Sequence, residues 1–518
     1  MRQTKKFKLF PLNKGLDLSS IPGGQDPRSL TKAINIVLRN RGSSRKAPGI
    51  RSLGYAGDKS EIQGATQFFG TVGGAQVAEI VQVRKGRVEV IRNNQTVDLG
   101  LEVSPSDAVV FEKFGNKLII HFENTAPKTF TAGATELEEL NIIESHKLIP
   151  PGFSVKHDFS LWYGGRGNQP DRITKSAIDD IGNYSLNAGG NQFRISEGDG
   201  DPVGVTGLSK TFRGSLFAFK FNSIHRIVRS QFGYGIEEFA QNVGCVHHNT
   251  ITTLRNDIFF TSSVGIHSLS ATEQFGDLKE AVISDPIFEW FQENVNWAAS
   301  KYMKSAYDSQ SNSYILTYPS YGKPTPNRIL GFNIFTKEFW EWWDCEYPSV
   351  SEYFDVGRRT VMVACNEKGL GVIDDQISTR YGSEFTMQVK TGIIFPLDEK
   401  QSEINFTKAW LFVKPMLNSF DLVVKWYVDD ELAGEKTLDP AGGGTGSQIG
   451  VDIIGGTETI QGNKKRFLSI PFELNSEGSC IEFEIIATPD GENDTKIEIY
   501  GLEFEFEYGE DSDTPKAA

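Results

Sequence analysis

The chain is poor in the residues that build most chemical centres. Its 518 residues include four cysteines, Cys245, Cys345, Cys365 and Cys480, far apart and without C-x-x-C spacing. Such spacing supports neither a zinc site nor a disulfide framework, so a reducing compartment is the default expectation. Long hydrophobic runs are missing as well, and nothing approaches the roughly 20 apolar residues that span a bilayer. The opening Met1-Arg-Gln-Thr-Lys-Lys-Phe-Lys8 lacks the apolar core of a secretory signal. The expectation is a protein made and kept soluble in cytoplasm. Nucleophile elbow, Walker loop, H-E-x-x-H and dinucleotide fingerprint are all absent, which removes the motif-bearing enzyme classes. No enzyme activity, metal or cofactor is expected.

What the chain does have is self-similarity. Arg213-Gly-Ser-Leu216-Phe-Ala-Phe and Arg255-Asn-Asp-Ile258-Phe-Phe-Thr stand 42 positions apart (255 − 213), and at that offset Ile224-His225-Arg-Ile227 falls on Ile266-His267-Ser-Leu269. A third copy runs from Arg359-Thr-Val-Met362 to Gly369-Leu370-Gly-Val-Ile373, and looser ones are anchored at Val77, Leu118, Leu161 and Tyr314. Each is a polar or glycine turn, an apolar strand, a short reversal and a second strand. A period of roughly 40 to 57 residues made of antiparallel strands predicts a β-propeller of about seven blades, six to eight being compatible. The 52 glycines and 36 phenylalanines suit many tight turns and aromatic-filled sheets.

Three stretches are expected. Residues 1–55 read as a basic leader containing a short helix over Pro27 to Val37, punctuated by proline and glycine at both ends. Residues 56–384 carry the propeller, whose ring commonly needs a blade built from both chain ends. Residues 385–518 read as an acidic antiparallel β-sandwich. Its strands are predicted at Phe406 to Met416, Asp421 to Asp429, Arg466 to Leu474, Ile481 to Thr488 and Lys496 to Tyr508, with Gly442-Gly-Gly-Thr-Gly446 as a loop. Leu502-Glu-Phe-Glu-Phe-Glu-Tyr508 alternates apolar and acidic residues, the pattern of a half-exposed sheet.

The net charge of −14 is unevenly spread. Residues 1–50 hold eleven Lys/Arg against two Asp/Glu, and residues 398–518 hold ten against twenty-five. A basic arm suits docking on an acidic protein surface, and an acidic face disfavours static binding of nucleic acid. The residues expected to dock are Lys5, Lys6, Lys8, Lys14, Arg39, Arg41, Arg45 and Lys46.

Other clusters have plainer readings. Glu197-Gly-Asp199-Gly-Asp201 offers oxygens to calcium but lacks the later Glu of an EF-hand loop, so a turn is the expectation. His247-His248 has no supporting ligand in sequence. His225 and His267 recur at the repeat spacing, which argues for architecture. Trp340, Trp342 and Trp343, with Trp290 and Trp297 upstream, are candidate sugar-stacking rings, although a hairpin over Asn333 to Trp340 whose rings fill the space between blades explains them more simply. Carboxylate pairs for glycoside hydrolysis cannot be picked out among sixty-seven acidic residues. The Asp-box repeat of sialidase-type propellers is missing.

The order of phrases adds a resemblance. Gly15-Leu-Asp, Pro27-Arg-Ser-Leu30, Ala33-Ile-Asn35-Ile-Val, Arg41-Gly42 and Lys46-Ala-Pro48-Gly49 resemble the opening of β-propeller tail proteins of tailed bacteriophages, with Lys46-Ala47 standing where an arginine is usual. His157 to Gly164, Pro170 to Ser176, Asp180 to Tyr184, Gly198 to Ile224 and Phe260 to Ile266 follow the same family's order. The resemblance covers about residues 15 to 380. It implies a non-enzymatic virion protein, a subunit of the tail nozzle or of the ring below the portal. Such a subunit assembles as a homohexamer with tail and portal-adaptor proteins around a channel through which double-stranded DNA passes in ejection. The alternatives are a carbohydrate-binding propeller adhesin, which requires Trp340, Trp342 and Trp343 to be partly exposed, and a propeller glycosidase, which requires two carboxylates about 5 to 10 Å apart in the central funnel.

Overall fold

The computed structural model describes residues 2–19, 26–39, 42–55, 57–140, 152–165, 169–196, 201, 203–231, 233–254, 257–275, 282–343, 346–355, 357–397, 404–416, 421–440, 468–488 and 497–509. These residues are mostly β-strand. The chain divides into two compact units: a terminal unit of Met1–Gly49, Glu338–Asp344 and Gln376–Ala518, and a central unit of Ile50–Lys337 and Cys345–Asp375. This differs from three consecutive stretches, because the leader as far as Gly49 belongs with the C-terminal strands.

The central unit is a string of antiparallel meanders of propeller type. Their leading strands are Ile62–Val72, Val109–Phe114, Phe153–His157, Val205–Leu208, Thr252–Leu254, Lys304–Asp308 and Ser349–Asp355. Each pairs with the strand that follows it. All the sequence anchors, Val77, Leu118, Leu161, Leu216, Ile258, Tyr314 and Met362, fall on the second strand of a meander. Those strands are the most legible because both faces are covered and they read as continuous apolar runs, as in Lys117–Phe122 and Asp257–Ser262. The last meander takes its fourth strand from the leader: Gly49–Ser52 lies beside Gly369–Asp374, and the Leu53 N–H donates to the Leu370 carbonyl at 3.0 Å. The last leading strand lies against the first, where Gln67 Nε2 donates to the Phe354 carbonyl at 3.2 Å and the Phe354 N–H returns a bond to Gln67 Oε1 at 2.7 Å.

The terminal unit holds two groups of strands. In one, Glu498–Gly509 pairs with Arg2–Leu9 and with Ile404–Val413, which also pairs with Leu468–Gly478. In the other, Leu30–Ile34, Met387–Thr391, Ile481–Ala487, Leu422–Val428 and Glu431–Leu438 lie side by side. Ring contacts join the groups, Phe483 to Phe504 at 5.6 Å and Trp426 to Phe472 at 5.9 Å. The expected C-terminal strands are present within a few residues of their predicted limits, and Gly442 to Gly446 lies outside the described residues.

Two expectations are corrected. Pro27 to Val37 is not helical: Leu30–Ile34 and Ile36–Arg39 are strands, separated by Asn35 at φ 56°. The β-branched Ile34, Ile36 and Val37 prefer extended backbone, and a left-handed residue between them breaks any helix. The second correction concerns cysteine, since Cys365 is disulfide-bonded while Cys245 and Cys480 are free and buried.

Candidate functional site

The leader lysines meet the acidic strand of their own chain. Arg2–Leu9 runs antiparallel to Glu498–Gly509 with Lys6 opposite Glu505 and Lys8 opposite Glu503. Lys6 and Lys8 lie 3.4 and 3.6 Å from the Glu503 carboxylate, and Lys6 also sits 4.2 Å over the Trp410 ring. Lys5 lies 4.8 Å over Tyr508. Leu502, Phe504 and Phe506 point inward from the same strand, as the alternation requires. The charge split between chain ends is therefore met in part inside the molecule, although Lys5, Lys6 and Lys8 remain exposed.

The rest of the predicted docking set separates by burial. Lys14 is half-buried. Arg39 has its backbone in a strand, and Arg41 lies outside the described residues. Arg45 is buried, and the Lys46 side chain is wholly buried, 3.1 Å from Glu384 and 4.2 Å over the Phe385 ring. Arg45 and Lys46 are thus corrected from surface contacts to interior groups, because a charge with its partner inside the fold has nothing to offer a neighbour.

The aromatic run is corrected as well. Trp340 and Trp342 are each 1% exposed and stack at 5.0 Å, with the Arg380 guanidinium 4.1 Å over Trp342. Only Trp343, at 42%, is open to solvent among the three. Trp290 and Trp297 are half-buried around Phe291. Two of the three rings an adhesin needs are packed away.

The histidines are structural. His225 Nε2 lies 3.0 Å from Ser223 Oγ and His267 Nε2 2.8 Å from Ser262 Oγ, both rings buried. His248 Nδ1 accepts from the Leu208 N–H at 3.2 Å, and its ring stacks on Phe153 at 4.7 Å. Asp201 accepts from the N–H groups of Val203 and Asn222, the work of a turn residue. Glu197, Gly198, Asp199 and Gly200 lie outside the described residues. No metal-ligating group of three side chains occurs among the described residues.

The feature that sequence reasoning missed is a cavity of about 660 Å³ in the central unit. Every leading strand contributes to its wall, from Ala65 and Thr66 on the first to Ser349 through Glu352 on the last. Its size matches a small-molecule site. Six charged groups around it interact with one another: Glu112, Lys113, Lys156, Lys210, Glu352 and Arg359. Burial pushes the Glu112 carboxyl up against the pull of Lys210, and Glu112 accepts the Lys156 backbone N–H at 2.9 Å. Burial, with Lys210 next, brings Lys113 down to about 8. Burial also works on Glu352, but Lys210, Arg359 and Lys113 outweigh it and hold that carboxyl below its ordinary value, with Arg359 hydrogen-bonded to it. Separately, burial brings Lys304 down to about 7, and its Nζ donates to the Gln63 carbonyl at 2.6 Å.

No protein-family model and no curated protein matches the chain. Solved structures similar to it include the WD40 β-propeller domain of Doa1, with TM-score 0.39 and 9% identity over 63% of this chain and 97% of that one. A chain of the mitotic checkpoint complex gives 0.38 and 11%, covering 68% and 95%. Apo AztD from Citrobacter koseri gives 0.32 and 9%, covering 61% and 88%. Likeness this distant carries no function.

The cavity residues had a weak signal in the sequence. Lys113, Lys156 and Lys210 precede the anchors Leu118, Leu161 and Leu216 by five, five and six residues (118 − 113, 161 − 156, 216 − 210). A lysine repeated five or six residues before an apolar anchor marks a position on or just past the leading strand that faces the cavity.

Proposed function

We propose that the chain is a structural subunit of a bacteriophage tail, at the nozzle or in the ring below the portal, and that it helps form or close the channel for genome ejection. In this reading the central unit is a seven-bladed β-propeller closed by the leader strand Gly49–Ser52, and the terminal unit is a β-sandwich. The protein works without enzymatic chemistry as one of six copies in a ring, in the virion tail after synthesis in the host cytoplasm.

The observation that carries the reading is the use of the leader. Its strands are built into sheets with strands from the far end of the chain: Arg2–Leu9 along Glu498–Gly509, Leu30–Ile34 along Met387–Thr391, and Gly49–Ser52 beside Gly369–Asp374. A chain held at both ends resists unravelling from either terminus, which suits a part that must stay rigid while DNA passes. The walls shared by seven leading strands and the Gln67–Phe354 seam support closure of the propeller ring. A cavity of about 660 Å³ takes a small ligand and no duplex, so the DNA channel of this proposal lies between subunits. The carboxylates a hydrolase would recruit from the cavity, Glu112, Asp158 and Glu352, are each held by donors of the chain itself.

Negative-stain imaging and mass photometry of the protein, alone and with virion-derived tails, test the proposal. Six-fold rings on the tail axis are expected. Persistent monomers absent from that axis would sink it, and binding of host polysaccharide by such monomers would favour the adhesin.

A further inference from the structure

We propose that the mouth of the central cavity binds a phosphomonoester carried on a ring compound. The charged groups that line the cavity or interact with its lining are five cations, Lys113, Lys156, Lys210, Lys304 and Arg359, against the three carboxylates Glu112, Asp158 and Glu352. Arg359 is committed to Glu352. Lys113 and Lys210 have no hydrogen-bond or ion-pair partner among the described residues, yet both line the cavity and are open to solvent. Asp158 lines the cavity too, but its carboxylate takes the Tyr234 hydroxyl at 3.1 Å and lies 3.9 Å from Arg229. An excess of two positive charges on mobile lysine stems matches a dianion whose three oxygens accept from several directions.

The ring is argued from Phe159. This side chain is 64% exposed and lines the same cavity, with Lys156 Nζ 6.0 Å from its ring. It occupies a two-residue hairpin turn, with Asp158 at φ 47° and Phe159 at φ 58° between paired His157 and Ser160. Such a turn favours Asn-Gly, and a bulky aromatic at positive φ is both strained and, here, unburied. Local stability accounts for neither property. A flat or pyranose face stacking on the ring, with its phosphate among the lysines, accounts for both.

Isothermal titration of the full chain with AMP, glucose 6-phosphate, inorganic phosphate and adenosine tests this. At least one phosphorylated ring compound is expected to bind about tenfold or more tightly than inorganic phosphate and adenosine, and the stronger of the two identifies a nucleotide or a sugar source. Lys113→Ala with Lys210→Ala should lose at least tenfold. Phe159→Gly should weaken AMP or glucose 6-phosphate while leaving inorganic phosphate unchanged, and its unfolding temperature should not fall because the turn is relieved. Affinity should drop as pH rises through about 8, where Lys113 loses its proton in the company of Glu112, Lys156, Lys210, Glu352 and Arg359. Absence of binding by both phosphorylated probes, equal binding by the double lysine variant, or indifference to Phe159 would each overturn the proposal. None of these outcomes bears on ring formation in the tail.

Discussion

At the level of single residues, burial decides which charges and rings have work inside the fold. His121 and His267 are each 1% exposed, and burial lowers them to about 3 and about 4. The unfolded chain therefore binds more protons once pH falls below about 6.5, and stability is lost progressively from there down to about pH 4, with His121 continuing lower. The expected slope is about 1.4 kcal/mol per pH unit for each histidine, read as a falling calorimetric transition. His267→Gln should flatten the part above pH 4, and an unchanged slope would refute its role. Lys46 gives a second test. Removing a buried partner leaves Glu384 uncompensated, so Lys46→Ala should cost about 3 to 5 kcal/mol in denaturant unfolding while Lys46→Met costs clearly less. Equal losses would mean that packing, and not the ion pair, governs the site. The sequence displayed Lys46 as one more basic leader residue. Nothing local says that its partner stands 338 positions away.

Among the elements, the strand Gly49–Ser52 is the informative one. Ile50 is fully buried, and Arg51 reaches Asp355 and Asp374 across the meander it completes. Ile50→Asp puts an unpaired charge into that sheet, and a loss of several kcal/mol is expected, with limited proteolysis cutting on the N-terminal side of the first meander. A variant as stable and protease-resistant as the parent would show that the leader strand is dispensable to the sheet. The second strands of the meanders were readable because they are continuous apolar runs. The leading strands were not: they carry Thr66, Glu112, Lys156 and Ser351 into a cavity, and mixed polar residues in a short strand resemble a loop. The stretch from Pro27 to Val37 reads as a helix for the opposite reason, because proline and glycine at its ends imitate helix punctuation while Asn35 turns the backbone left-handed between two strands.

For the whole molecule, under the proposed tail role, the outward charge of Lys6 and Lys8, which pair with Glu503, and of Lys5, which lies over Tyr508, is what a neighbouring subunit would meet. Lys5→Glu with Lys8→Glu should reduce co-sedimentation with virion-derived tails about tenfold or more and make the remainder insensitive to salt, since surface attraction is screened within about 10 Å at 0.1 M. The variant should fold, because exposed pairs contribute under about 1 kcal/mol. Undiminished co-sedimentation would remove the leader from docking.

The sequence by itself determined the class of backbone: strands in a repeated hairpin unit, and alternating strands at the C-terminal end. Period and alternation are local properties, written in side chains that each strand carries wherever it lies. Only the tertiary structure decided that most of the leader lies in the sheets of the C-terminal strands, that Lys46, Trp340 and Trp342 are interior, and that charges between positions 112 and 352 share one cavity. Those facts depend on contacts between residues hundreds of positions apart. Burial and electrostatics act through distance in space, and sequence separation does not encode it.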